Sequence, residues 1–439
     1  MNQFSVYKLQ HAHSLLTLLS ELNDQLLIPG ILADGTEVYY IINFESYDVI
    51  RIAVNNTHER ESLATKLKSG VSEKHLPYGV NNHYDFTTSW IQPHEGLWLD
   101  DKRIMIAMHN CSFYRIINLS ERTVYTTTIN DVMTSATNCL SKGKIYYTET
   151  DMLSRMKNME SEFSPLLTKV IELSSETLNR KVIAEFLTTE AIHQVQISPD
   201  GTKLILTEFC IDLRSQCPSR IPDDNYMTDL SWKRYGGTPL PESFTHQVDI
   251  NSGKHTSFIP EGLTPGHAEF SLCDSDIFYL SCHSLSKMHG KIIMHAPGYL
   301  IKVQVSNNGL IPKESFSSPD FLRITSHKTF CVDGEYYIAV TVYPNWLYIF
   351  SDPEMVLLRR IRLFDYDNIS VTPYHVCTPG PQVPIWLEIS SDGNYIILVS
   401  NRVIYIYSFR DNQTHTIDGY HSDNSFMGTG HLSMNKAHS

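Results

Sequence analysis

The chain has 439 residues and a formal net charge of −13. This acidic balance, which no basic stripe offsets, argues against nucleic-acid binding. No apolar run is long enough to span a bilayer, so no membrane partner is expected. The N-terminus lacks a signal-peptide pattern, and the eight cysteines form no close pairs. The sequence therefore predicts a cytoplasmic protein with free thiols.

The chain predicts one large repetitive domain between two short extensions. Residues 1–26 hold a strand-like piece from Phe4 to Leu9 and a helix-like piece from Ser14 to Leu22. Residues 27–419 form seven units, each with a hairpin and two further strands. The clearest hairpin runs from Ile192 to Glu208, where alternating apolar residues enter a Ser-Pro-Asp-Gly turn. The others are Ile28 to Phe44, His94 to His109, Ser135 to Thr148, His267 to Cys282, His327 to Val342 and Ile385 to Ser400.

Four short strands in each of seven units predict the fold. This pattern is the sequence signature of a single seven-bladed β-propeller, an all-β fold whose radial repetition allows one domain to reach this length. Residues 420–439, rich in Ser, Gly, Asn and His, are expected to form a C-terminal tail that is disordered or folds back over one face.

One position in the repeat predicts a metal site. When blades are aligned on the first apolar residue of the second strand, the position ten residues earlier holds a His in three blades and a Gln in a fourth. The first residues of the innermost strands meet at one mouth of a propeller's channel. Imidazoles with an amide oxygen suit a divalent ion such as Mn²⁺, Fe²⁺ or Zn²⁺, whereas a channel lined by hydrogen-bonded, metal-free His is the alternative. The candidate ligands are His94, Gln194, His267 and His327.

Four other histidines are candidate catalytic bases. His193 adjoins the predicted ligand Gln194 but would point the opposite way in a regular strand, so a packed position inside the blade is its alternative. His109 and His283 end second strands and are expected on the same face as the four candidate ligands. His375 lies in a loop between blades six and seven. A base near the metal could remove a proton from a substrate.

Long connections are expected over the same mouth. They run from Glu149 to Pro165, Phe209 to Phe244, Ser284 to Gly298 and Asp365 to Pro384. Long loops on a rigid scaffold often carry function, and local basic enrichment in an acidic protein indicates a small anionic ligand, although for any single basic residue solvated surface charge is the favoured explanation. The candidate substrate-binding residues are Arg214, Arg220, Arg234 and Lys287.

Three His and a Gln at the mouth of a seven-bladed propeller resemble oligogalacturonate lyase, an intracellular enzyme of pectin breakdown. The stretches at 193–201 (His-Gln-Val-Gln-Ile-Ser-Pro-Asp-Gly) and 266–271 (Gly-His-Ala-Glu-Phe-Ser) are similar to blades of that family and of TolB-like propellers. The resemblance implies Mn²⁺ on this ligand set and proton abstraction next to a uronate carboxylate. The family clusters several ligands, whereas these come singly from four blades, so only the metal-assisted site is carried over. Carotenoid oxygenases, with four His on iron, are a second analogue, but their flanking motifs are absent.

Two functions of different classes follow. The first is a metal-dependent enzyme, of lyase or isomerase type, that acts on a small anionic metabolite bearing a carboxylate. The second is a non-catalytic propeller scaffold that binds a protein or peptide. A lactonase-like hydrolase ranks third, because those sites rely on carboxylate ligands to Ca²⁺, and the four candidate ligands here include no carboxylate.

Overall fold

The protein is a seven-bladed β-propeller, and the predicted fold class is confirmed. Within the part of the chain that the structure describes, one long helix, Thr57–Gly70, follows the first blade, and no helix is long and apolar enough to cross a membrane. The predicted helix-like piece at 14–22 lies outside the described residues. The computed structural model describes residues 2–9, 24–70, 92–109, 113–128, 132–151, 165–208, 238–239, 243–260, 263–288, 291–306, 309–365, 384 and 386–435.

Blades 2 to 4 each consist of antiparallel strands that follow one another along the chain, from the channel outward. In blade 3 the innermost position is shared by two short strands. The strands are Gln92–Trp98, Arg103–His109, Phe113–Asn118 and Thr123–Thr128 in blade 2; Val132–Thr134, Cys139–Ser141, Lys144–Asp151, Leu166–Ser174 and Arg180–Thr188 in blade 3; and Ile192–Ile197, Lys203–Glu208, Thr245–Asp249 and His255–Phe258 in blade 4.

Blades 5 to 7 repeat this order, and blade 5 gains an added two-residue strand, Thr238–Pro239. Its strands are Thr264–Phe270, Ile277–Met288, Lys291–Ser306 and Gly309–Phe316. The strands of blade 6 are Ile324–Val332, Glu335–Val342, Trp346–Ser351 and Leu357–Arg362, and those of blade 7 are Trp386–Ile389, Tyr395–Val399, Val403–Ser408 and Gln413–Asp418.

Blade 1 is assembled from both ends of the described chain. Gln3–Lys8 pairs with Asp48–Val54 as the outermost strand, and Glu37–Asn43 and Gln25–Ile31 follow inward. The innermost positions come from the C-terminal region, which sequence analysis placed outside the propeller with residues 1–26. Met427–Gly428 and Ser433–Asn435 both pair with Gln25–Ile31, on its channel side. We call residues 420–435 the closing strap, because they follow blade 7 in the chain and complete blade 1.

The apolar core lies between neighbouring blades. One cluster joins Leu27 and Tyr39 of blade 1 to Ile104 of blade 2, and comparable clusters join the other neighbouring pairs. At the seam between blades 7 and 1, the cluster also contains the strap residues Tyr420, Phe426, Leu432 and Met434. Each blade therefore buries both faces against its neighbours, which holds the innermost strands in place around the channel.

The turn inside blade 7 shows how tightly successive blades approach. Gly393 has a φ of +74°, and a Cβ atom there would lie 1.9 Å from the carbonyl oxygen of Cys331 in blade 6. The corresponding turn of blade 6 contains Gly334, with a φ of +84° and no atom within 4 Å of such a Cβ. Both turns require the left-handed backbone conformation, but only Gly393 also requires the space.

One of the four predicted loops is a hairpin. Residues 284–298 continue the strands Ile277–Met288 and Lys291–Ser306, which pair as far as Met288 opposite Lys291. The prediction of a loop was wrong there because the Lys and His content of the segment outweighed the apolar residues of the two strands, which pair as far as Met288 and Lys291. Most of the other three predicted loops, at 152–164, 209–237 and 366–383, lies outside the described residues.

Candidate metal centre

Four histidine rings converge in the channel. His94, His193 and His431 are buried, and each places one ring nitrogen within 4.8 Å of the others. His267, half-buried, joins them, because its Nε2 lies 3.1 Å from Nε2 of His193 and its ring centroid lies 4.6 Å from that of His431. The centroid of His94 lies 5.1 Å from both His193 and His431. We call these four residues the His cluster.

β-Bulges aim three of these side chains. The register between the two inner strands slips between Pro93 and Glu95 in blade 2, so His94 is the extra residue. The same slip makes His193 the extra residue of blade 4, and in blade 5 a slip spans Gly266 and His267. A bulge bends the strand locally and redirects the side chain that it carries. Three separate bulges therefore direct imidazoles into one space.

The two other predicted ligands lie outside the cluster. The Gln194 side-chain oxygen accepts a hydrogen bond from the backbone N–H of Ala268 at 2.5 Å. The His327 Nε2 donates to the carbonyl of Tyr279 at 3.1 Å. The alignment that selected these two residues assumed that the innermost strands are regular. In blade 4 the bulge lies one residue before Gln194, and in blade 6 it lies at Thr325, two residues before His327, so neither side chain is the one that the bulge redirects.

The structure describes the side chains of two of the four predicted bases, His193 and His283. His193, predicted as a base, is a member of the cluster. His283 is buried outside it, and burial lowers the pKa of His283 to about 3. The remaining candidates His375, Arg214, Arg220 and Arg234 lie outside the described residues, as do the side chains of His109 and Lys287.

Sequence analysis missed His431, which the closing strap contributes. Its backbone N–H donates to the carbonyl of His94 at 2.5 Å. A Cβ atom at Gly430 would lie 1.7 Å from that same oxygen, so only glycine lets the strap approach so closely. The Trp386 ring of blade 7 stacks on His431 with centroids 4.2 Å apart. The Gly-His pair at 430–431 repeats the pair at 266–267, and this was the signal available in the sequence.

The cluster keeps His431 neutral. Burial lowers the pKa of His431 well below its usual value, and the neighbouring cluster imidazoles and Lys328 lower it further. Its Nε2 is buried without a hydrogen-bond partner among the described residues. A neutral imidazole is the form that binds a metal ion.

The spacing of the rings suits a metal ion. Imidazole nitrogens that bind one ion at 2.0–2.1 Å lie about 2.9–3.4 Å apart, for angles of 90–109° at the metal. The separation of 3.1 Å between His193 and His267 falls in that interval. His94 and His431 lie within 4.8 Å of His193 and would need to move inward by about an ångström. His94, His193 and His431 are therefore placed to hold a divalent ion, and His267, which lies at hydrogen-bonding distance from His193, is the fourth candidate ligand.

A polar layer, made of charged and amide side chains, lies next to the His cluster, one to three residues further along the innermost strands. The Lys328 ammonium lies 3.8 Å from the carboxylate of Glu388, and the Gln196 amide donates to Glu269 at 3.0 Å. Burial lowers the pKa of Lys328, but the carboxylates of Glu388, Glu269 and Glu95 outweigh this and raise it above its usual value. Burial raises the pKa of Glu95 to about 8. Three carboxyl groups and one ammonium therefore face the channel beside the His cluster.

Comparisons with known proteins establish the fold. No protein-family model and no curated protein matches the chain. A cobalt-substituted apocarotenoid oxygenase of Synechocystis has a TM-score of 0.55 at 9% identity, covering 100% of this chain and 96% of that one. A point mutant of the same oxygenase has a TM-score of 0.54 at 10% identity and the same coverage. Dihydro-heme d1 dehydrogenase NirN has a TM-score of 0.45 at 10% identity, covering 94% of this chain and 75% of that one. At these identities the likeness to the oxygenase shows a shared fold.

Proposed function

We propose that the protein is a metal-dependent enzyme whose divalent ion is held by the His cluster. The convergence of four imidazoles from blades 2, 4, 5 and the closing strap carries this proposal. Isolated buried histidines normally find hydrogen-bond partners, whereas Nε2 of His431 has none among the described residues. A metal ion would satisfy that nitrogen.

The donor set favours Fe²⁺ or Zn²⁺ over the Mn²⁺ that the lyase resemblance implied. Imidazole suits Fe, Zn, Cu and Ni, whereas oxygen donors suit Mn. Gln194, which would have supplied the amide oxygen, bonds the backbone of blade 5 instead. The polar layer supports a bound cation, because Glu269 and Glu388 with the Lys328 ammonium give a formal charge of −1 while Glu95, whose pKa is raised to about 8, stays largely protonated at neutral pH.

The substrate that we propose is a small metabolite with a carboxylate, consumed by elimination or isomerisation. An ion at the cluster would polarise a carboxylate or carbonyl oxygen and acidify the adjacent C–H bond. The acidic layer disfavours an anion that approaches along the channel past Glu269 and Glu388. We therefore place substrate entry at the mouth where the innermost strands begin. The indole of Trp386 stacks on His431 and packs beside His267 and His94, so it shields one side of the cluster from water.

Oxygenase chemistry is the second candidate. Fe²⁺ is one of the ions that an all-imidazole donor set suits, and a structural neighbour that covers the whole chain is named an apocarotenoid oxygenase. This link rests on fold-level analogy. The identity of the metal separates the two candidates, because bound Zn²⁺ would exclude oxygen activation.

Elemental analysis of untagged protein tests the metal site. We expect about one Fe or Zn per chain in the wild type, and its loss in His431→Ala and His267→Ala, because each removes one ligand. His327→Gln is the matched control for His431→Ala, since His327 is buried like His431 but bonds Tyr279, and it should keep the metal. Absence of metal from every sample, even after addition of Fe²⁺, Zn²⁺ or Mn²⁺, would leave the scaffold as the better proposal.

A further inference from the structure

The closing strap carries His431 across the seam of the ring. The strands Met427–Gly428 and Ser433–Asn435 pair with Gln25–Ile31 of blade 1. Between these two strands, His431 bonds the backbone of blade 2 through the His94 carbonyl and stacks on Trp386 of blade 7. One residue therefore contacts the blades on both sides of the blade that closes the ring.

The other three cluster histidines lie on their own blades, although the His94 carbonyl also accepts the hydrogen bond from the strap. His94, His193 and His267 sit on bulges within their own blades, and the backbone N–H of His267 bonds the Ser281 hydroxyl of blade 5 at 2.9 Å. The strap strands are only two and three residues long. Short strands with few hydrogen bonds open locally at a lower free-energy cost than the whole fold. Local opening of residues 427–435 would therefore remove one imidazole and leave three in place.

We propose that metal binding and closure of the propeller ring are thermodynamically linked through His431. An ion bound by the His cluster connects the strap to blades 2, 4 and 5, so the strap cannot open without loss of a ligand. Removal of the ion, by chelation or by metal shortage, makes the strap open more often and exposes the channel. This inference rests on the proposed function, because it requires an ion at the cluster.

Hydrogen exchange measured by mass spectrometry tests the linkage. Untagged protein is stripped with EDTA and divided, and portions are reloaded with Fe²⁺ without oxygen or with Zn²⁺. We expect the bound ion to slow exchange in peptides covering residues 426–435 by about 10-fold or more, since an ion in excess lowers the open population by the ratio of its affinities for the closed, four-ligand form and the open, three-ligand form. Peptides covering Val403–Ser408, in the middle of blade 7, should respond much less.

Two strap variants separate ligation from packing. His421 lies in the same strap, bonds the Asn401 carbonyl at 2.6 Å and stacks on Tyr40 away from the cluster. His421→Ala should speed strap exchange yet keep the slowing by metal, whereas His431→Ala should lose the slowing. If His431→Ala does not fold, the wild-type comparison with and without metal decides.

Metal content measured on the same samples distinguishes the two ways to fail. Stoichiometric metal with unchanged strap exchange would overturn the linkage and leave the proposed metal centre standing. Protein that binds no metal under any condition would overturn both.

Discussion

Buried histidines outside the His cluster make stability depend on pH. Burial lowers the pKa of His327 to about 4, whereas in the unfolded chain it titrates near pH 6.5. Between these values the unfolded state binds more protons, so the free energy of unfolding must fall as the pH decreases from about 6.5 to about 4. His283, with a pKa of about 3, extends the loss to lower pH.

His327→Gln tests this dependence. Glutamine can still donate a hydrogen bond to the Tyr279 carbonyl but carries no titrating group. We expect urea unfolding to show a shallower loss of stability between pH 6.5 and 4, by up to about 1.4 kcal/mol per pH unit. At pH 7.5 the two proteins should differ by only about 1 kcal/mol. Parallel curves for wild type and variant would show that the His327 pKa is not lowered.

Lys328 compensates the carboxylates of the channel. Lys328→Met leaves Glu388 and Glu269 without their ammonium, and we expect a loss of about 2 kcal/mol, between the values for exposed and fully buried pairs, because Lys328 is half-buried and Glu388 is buried. The double variant with Glu388→Gln should recover part of this loss. Lys203→Met is the control, since Lys203 pairs at 2.6 Å with a half-exposed Asp276 and should lose less than about 1 kcal/mol. Equal losses in both lysine variants, measured by urea unfolding, would refute a special role for the channel layer.

At the scale of the element, local sequence patterns predicted hairpins well and predicted the members of the His cluster only in part. Alternation and Asp-Gly or Pro-Asp-Gly turns are local, so the hairpins could be located from sequence. The register slips beside His94, His193 and His267 depend on how two strands pair, and no short pattern encodes this pairing. His94 and His267 were found because the count of ten reaches their bulges, whereas Gln194 and His327 lie beyond theirs.

The two Asp-Gly turns provide a prediction at the same scale. Gly334→Ala should cost about 1 kcal/mol, because alanine must adopt a positive φ in open space. Gly393→Ala should cost about 3 kcal/mol, because its Cβ would also collide with the Cys331 carbonyl of blade 6. Thermal and urea unfolding of both variants measure the difference. Equal losses of stability in the two variants would show that blades 6 and 7 do not approach each other this closely at Gly393.

At the scale of the whole molecule, the two chain ends close the ring from opposite sides of one blade. This arrangement could not be predicted from the sequence, because the N-terminal strand and the strap carry no repeat motif and are defined by the blade that they complete. The fourth histidine was missed for the same reason. His431 reaches the His cluster only when the strap strands pair with Gln25–Ile31 of blade 1. These partners lie more than 390 residues apart in the sequence.

Two truncations compare how much the N-terminal strand and the closing strap contribute to stability and to metal binding. The outer strand Gln3–Lys8 is largely exposed, so removal of residues 1–8 should lower the melting temperature modestly and leave the metal site intact. Removal of residues 420–439 exposes the seam that Tyr420, Phe426, Leu432 and Met434 cover. At about 1.5–3 kcal/mol for each large apolar side chain, this loss is comparable with the whole stability of a typical domain. We therefore expect the C-terminally shortened chain to lack a cooperative thermal transition and to bind no stoichiometric metal. A shortened chain that unfolds cooperatively near the wild-type temperature would show that the first blade closes the ring without its inner strands.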